Sequence, residues 1–185
     1  MQPAAGHRFG AGAETVITEL AEKIRTEIEL CRGSAERAER ALAILLQYAA
    51  ADRGFLYLNG PKGFNLAAAS RGALPSDELD LYLREWLTAS IATDEDAVTQ
   101  TIVASYFQEK TLTYEIVELR ADRGGWFGII GALALAREGK QHRVIPFAAL
   151  NPLAQALVTA GDAQIMGRAP GAAAPRRPST PSPSP

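Results

Sequence analysis

Few residues in this chain of 185 could carry out a reaction. The sole cysteine is Cys31, and the only histidines are His7 and His142. One cysteine excludes an internal disulfide and a thiolate-rich zinc site. Cys31 falls on the apolar side of a helical pattern, where a thiol packs rather than reacts. His142 has no sequence neighbours that would build a triad with it. Ser70 and the other hydroxyls lack an identifiable activating base. Gly60-Pro61-Lys62-Gly63 is too short for a phosphate loop and does not precede a helix, so it reads as a turn. What remains is a set of aromatic residues with polar tips: Tyr57, Tyr82, Trp86, Tyr106 and Trp126. Such side chains suit the binding of a small molecule by stacking and hydrogen bonding. The reading is non-catalytic, without cofactor or metal. Its candidate ligand-binding residues are Tyr57, Ser70, Tyr82 and Trp86.

The elements that must position these residues follow from periodicity. Ile17, Leu20, Ala21, Ile24, Ile28 and Cys31 share one face of a helix, with charges opposite. Gly33 and Ser34 interrupt it, Ser34 as an N-cap, although an interior glycine would also allow one long rod. Ala38, Leu42, Leu45, Leu46 and Ala49 form the apolar side of a second helix. Residues 55–58 and 64–69 are apolar strands around Asn59-Gly60-Pro61-Lys62-Gly63, a hairpin turn. Leu79, Tyr82, Leu83, Trp86, Leu87 and Ile91 then mark an amphipathic helix, with Asp77 and Glu78 in its first turn. Residues 94–110 carry both a helix-start signal and strand alternation. Residues 113–119 alternate as a strand, 120–125 hold a turn, and 126–136 are a second, very apolar strand. Asn151 as N-cap and Pro152 at the first helical position predict a last helix ending near Ala160.

The order is helix, hairpin, helix, hairpin, helix, which predicts an α+β fold with a central antiparallel sheet. The segments FLYL and GIIGALALA do not alternate as a half-wet sheet would. Both sheet faces should therefore be covered, one by the terminal helices and the other by the helix carrying Trp86. Any cavity is expected in that second layer.

Two stretches carry a family resemblance. ALAILLQYAAADRGFLYLNGPKGFNLAAASRG resembles the opening of a GAF domain. EIVELRADRGGWFGIIGALALA, followed by PLAQAL, resembles its close. The likeness spans roughly residues 35–160. It implies a sensory or regulatory module, dimeric through its terminal helices and in some members holding a small ligand. The chemical subtypes do not carry over. Bilin attachment needs a cysteine in the pocket region, and none lies between Ala35 and Pro185. The methionine-sulfoxide reductase subtype uses several cysteines. The cyclic-nucleotide subtype has an acidic pair downstream of its phenylalanine, whereas Phe107 is followed by Thr111 and Leu112. A roadblock/profilin-like fold has the same helix and hairpin order and stays open as the alternative.

These readings divide the chain into an arm (1–13), an N-terminal helix (14–34), a GAF-like domain (35–162) and a disordered Pro/Ser/Arg tail (163–185), which beyond Gly167 has no large apolar groups to bury. Ile17, Leu20, Ile24 and Ile28 are expected to form the seam of a homodimer. A net charge of −2, with 47% hydrophobic and 22% charged residues, gives no pull toward nucleic acid. The longest apolar run is about half of the ~20 residues a membrane span needs, so a cytoplasmic protein is expected. The functional expectation is a regulatory module in a signalling pathway, with a signalling protein as partner and room for a small ligand. The alternative is a ligand-free adaptor with a roadblock-like fold.

Overall fold

The computed structural model describes residues 11–70, 72–93, 104–123, 126–136 and 145–166. Nine elements follow in order: α1 (Ala11–Glu29), α2 (Ser34–Ala49), β1 (Arg53–Gly60), β2 (Gly63–Ala69), α3 (Asp77–Thr93), β3 (Ala104–Glu109), β4 (Leu112–Arg123), β5 (Trp126–Ala136) and α4 (Phe147–Thr159). The strands form one sheet in the order β2-β1-β5-β4-β3, with every neighbouring pair antiparallel. The sheet is thus the central antiparallel one expected of an α+β fold. No helix among the described residues is long and apolar enough to cross a membrane.

Strand β5 lies at the centre and is buried on both sides, which explains its unbroken apolar run. Its side chains Ile130, Leu133 and Leu135 join a core with α1, α2 and α4. Ile129, Ala132, Ala134 and Ala136 point the other way, into a core with α3. The covered-sheet expectation holds on both faces. Gly131 lets β1 approach β5: a Cβ there would stand 2.0 Å from the carbonyl oxygen of Tyr57. Gly63 closes the β1–β2 turn with φ of +90°, a conformation open to glycine at little cost.

Several expected boundaries shift. Helix α1 begins at Ala11, three residues early, and is separate from α2 rather than fused into a rod. Gly33, not Ser34, caps α2, and the Glu36 carboxylate accepts the Arg32 backbone N–H at 2.8 Å. The second β unit has three strands instead of two, because β3 occupies the ambiguous stretch from residue 104. The helix-start signal at Thr93–Asp96 and the alternation at 98–103 lie outside the described residues, apart from Thr93 at the end of α3. Strand β4 continues to Arg123, through most of the expected turn. Helix α4 starts at Phe147 with Pro146 as its cap, so Pro152 sits inside it. Proline removes one backbone donor from the ladder. Ala149, Leu150, Leu153, Ala154, Leu157 and Val158, all buried, hold the helix on the sheet regardless.

Packed chain continues past residue 162, the expected end of the domain. Asp162 receives the Arg37 guanidinium on both oxygens, at 2.6 and 2.8 Å. Asn59 and Gln164 exchange hydrogen bonds, and Met166 pairs with Ile129 where β1 no longer reaches. The remainder of the predicted tail, from 167, and the arm from 1 to 10 lie outside the described residues.

The expected dimer seam is also redrawn. Leu20, Ile24 and Ile28 are buried within the protomer, at 7%, 0% and 2% exposure, in the core shared with α2 and α4. The side chain of Ile17 lies outside the described residues. The apolar face of α1 could not signal which surface it would meet, since α2 and α4 offer as good an apolar partner as a second copy. Ile24→Glu should therefore unfold the protein rather than merely split a dimer. Ile24→Ala should cost about 2–5 kcal/mol in urea unfolding. A wild-type-like midpoint for Ile24→Ala would contradict this packing.

Candidate functional site

The layer between α3 and the sheet gathers most of the candidate residues. Leu79, Leu83 and Leu87 repeat every four residues and are fully buried against the sheet. Around this apolar spine α3 is pinned by side-chain hydrogen bonds on two sides. Tyr57, fully buried on β1, donates its hydroxyl proton to Asp80 Oδ1 at 2.8 Å. The Arg84 guanidinium, one turn on, donates to Asp80 Oδ2 at 2.7 Å and to the Phe64 carbonyl. Toward the other edge, the Tyr82 hydroxyl is bonded to Ser105 Oγ on β3 at 2.7 Å. The Tyr82 ring also packs on Phe107, with centroids 5.0 Å apart. Trp86 is half-buried against the same core.

Of the four predicted ligand-binding residues, Tyr57, Tyr82 and Trp86 thus pack in this layer. Ser70 serves differently. It follows β2 and brackets Gly54, whose N–H donates to the serine Oγ at 3.2 Å while its carbonyl accepts the Ser70 N–H at 2.9 Å. Tyr106 is exposed on β3, and the Trp126 side chain lies outside the described residues. Both histidines also lie outside them. Cys31 points its thiol at the Glu27 carbonyl. Among the described residues no group of three or more His, Cys, Asp or Glu is arranged to hold a metal.

Charge is also present on this face of the sheet. Glu118 and Arg120, two apart on β4, share the α3 face with Tyr114 and Ile116. Arg120 donates Nε and Nη2 to Glu118 Oε2, at 2.8 and 2.7 Å. Both residues are more than nine-tenths buried, and Glu118 Oε1 has no hydrogen-bond partner. Asp80, Arg84, Ser105, Glu118 and Arg120 were all missed as site residues. Asp80 and Arg84 were readable as an i,i+4 pair. Glu118 and Arg120 were readable as charges continuing the inward row of Tyr114 and Ile116. The contacts of Tyr57 and Ser105 with α3 join distant segments and leave no local trace.

Burial pushes the Tyr57 hydroxyl well above its ordinary pKa, and the bond to Asp80 adds to this. The Asp80 carboxyl is held below its usual range, chiefly by the Arg84 bond and also by Tyr57, with burial opposing. Arg84 is raised in turn by Asp80.

Two clefts lie in the opposite layer. One of about 460 Å³ opens between α1 and α4, beside Ile28, Arg37, Pro152 and Ala156. Another of about 250 Å³ lies between α1 and α2. The arginines lining the first are engaged, Arg37 with Asp162 and Arg25 with Glu22. The α3 layer, by contrast, keeps a buried acceptor oxygen unmatched.

The pinning of α3 has a measurable pH signature. Tyr57→Phe removes one donor from Asp80, which is about one-third exposed and can regain a water, so the cost should be about 1 kcal/mol at neutral pH. Because the folded Asp80 pKa is depressed, its stabilisation is full above the unfolded carboxyl value of about 4 and is lost as pH falls through the folded value. The gap between wild type and Tyr57→Phe should shrink below about pH 4. Arg84→Met, which removes the larger cause, should raise the Asp80 pKa more than Tyr57→Phe does. Urea unfolding across pH checks this, and a gap that widens in acid would refute the network.

No protein-family model matches the chain, and no curated protein matches it by sequence. Solved structures do match. The GAF domain of a protein assigned as a sensor histidine kinase, from Pseudomonas syringae pv. tomato, aligns with a TM-score of 0.52 at 16% identity, over 82% of this chain and 91% of that one. The GAF domain of an Acinetobacter phosphoenolpyruvate-protein phosphotransferase aligns with a TM-score of 0.50 at 11% identity, over 79% and 95%. Together with the strand order and the helices on both faces, these matches identify the architecture of the chain as the GAF fold.

Proposed function

We propose that this chain is a non-catalytic sensory module that holds a small, uncharged ligand between the sheet and α3 and reports its presence to a signalling protein. The observation that carries this reading is how α3 is fastened. Its polar contacts at Tyr57–Asp80 and Tyr82–Ser105 lie on either side of the stretch of β5 that presents Ala132, Ala134 and Ala136 to this layer. Hydrogen bonds of this kind can be exchanged for bonds to a ligand at little net cost, whereas a filled apolar core cannot open cheaply. The likeness to GAF domains of a sensor kinase and of a phosphotransferase supports a regulatory context.

The working unit in this reading is a homodimer. With Leu20, Ile24 and Ile28 committed to the protomer's own core, the contact would use the outer side of α1. Val16 and Leu30, the latter just past the helix end, are exposed at 46% and 76% and stand four turns apart on one side.

Trp86 is the natural reporter. In Trp126→Phe protein, titration with neutral aromatic metabolites should shift or quench Trp86 emission. Sedimentation of the same sample should give twice the protomer mass. Unchanged emission across the panel, with a bound-state structure showing a filled layer, would leave the ligand-free adaptor. A monomer at tens of micromolar protein would remove the dimer.

A further inference from the structure

Resting on the reading of the α3 layer as a ligand site, we propose that Glu118 Oε1 is the acceptor for an N–H group of a neutral ligand, the amide or ring amine of a flat molecule. The register places Glu118 in one row with Tyr57, two strands away. Leu66, Tyr57, Ala132 and Glu118 stand in one row across β2, β1, β5 and β4. Paired residues point to the same side, so Tyr57 and Glu118 both rise on the α3 face with only the methyl group of Ala132 between them. Two strand spacings separate their backbones by roughly 10 Å, about the span of a small aromatic amide with its contacts.

The chemistry of the pair selects the ligand. Both donors that Arg120 gives to Glu118 go to Oε2, which leaves Oε1 as a buried acceptor without a donor. An acceptor in that state costs about 1–3 kcal/mol. A ligand N–H removes the cost directly. A carbonyl or carboxylate from the ligand would face lone pairs with lone pairs. An ammonium would satisfy the oxygen, but Arg120 already balances the carboxylate, so the added charge would be buried without compensation. The group that fits all three conditions is a neutral N–H donor.

Four probes of one size separate these cases: benzamide, acetophenone, benzylamine and benzoate. Benzamide and acetophenone differ only by an amino group in place of a methyl. Binding is read by Trp86 emission in Trp126→Phe protein and by the ¹³C resonance of the Glu118 carboxyl. Benzamide should bind about tenfold or more tighter than acetophenone and should move the Glu118 resonance. Benzylamine and benzoate should bind more weakly than benzamide. Replacing both partners, Glu118→Met with Arg120→Met, removes the charges together and should leave a folded protein that no longer prefers benzamide. Equal binding of benzamide and acetophenone would overturn the assignment, as it would if an ordered water already satisfied the oxygen. A preference for benzylamine or benzoate, or a preference for benzamide surviving in the double variant, would overturn it too. In each of those cases the ligand site under α3 would stand. If no probe perturbs Trp86, both the assignment and the site fall. The comparison of probes on the Trp126→Phe protein does not depend on the double variant folding.

Discussion

The fold depends on β5 being buried on both faces with side chains of unequal size. Ile130, Leu133 and Leu135 fill the side facing α1, α2 and α4, while Ile129 and the smaller Ala132, Ala134 and Ala136 line the side facing α3. Each large side chain contributes about 1.5–3 kcal/mol by burial, an alanine much less. The three-helix layer gathers the larger share of the buried apolar residues, whereas the largest buried rings, Tyr57, Tyr114 and Phe55, lie in the α3 layer. The α3 layer adds polar fastening at Tyr57–Asp80 and Tyr82–Ser105 to its apolar spine of Leu79, Leu83 and Leu87, while the three-helix layer forms the larger base.

The base is also closed at its chain ends. After α4 the chain turns back so that Asp162 meets Arg37 at the start of α2, Gln164 meets Asn59 on β1, and Met166 continues the ladder beside β5. Asn59 is buried at 2% exposure, and its pairing with Gln164 satisfies an amide that the interior would otherwise penalise. Residues from α2, β1 and the post-α4 segment thus fix one another across more than a hundred positions. Helix α3 is tied to β1 through Tyr57–Asp80, to β2 through Arg84 and the Phe64 carbonyl, and to β3 through Tyr82–Ser105.

Much of the architecture was legible in the sequence because it rests on local pattern. The unbroken apolar run of β5 and the FLYL segment of β1 announced a sheet covered on both faces, and the spacing from Leu79 to Ile91 announced α3. The misreadings came from places where tertiary packing overrides local signals. Asn151-Pro152 resembles a helix start, yet the buried face from Ala149 extends α4 to Phe147. The face of α1 was correctly apolar, but periodicity does not say whether a helix meets its own domain or another copy. The site was half legible. Tyr57, Tyr82 and Trp86 were singled out by type and reach the expected layer. Ser70, singled out in the same way, braces the sheet edge instead. Glu118 was passed over because a charge in an alternating strand normally marks the wet face, and here both faces are dry.

That buried charge is the feature that folding alone explains least. A carboxylate and a guanidinium inside a protein recover little of what they lose in leaving water, and an apolar pair of similar volume often serves stability as well or better. The residual cost is concentrated on one oxygen, Glu118 Oε1, on the face that also carries the Tyr57–Asp80 and Tyr82–Ser105 hydrogen bonds. If stability alone had shaped this face, the row of Tyr114 and Ile116 would most simply have continued with apolar residues. Its continuation as Glu118 and Arg120 gives the interior a fixed, charge-balanced dipole with one acceptor turned away from its partner. Such a group discriminates between visitors by what they donate, whereas an apolar wall discriminates only by shape.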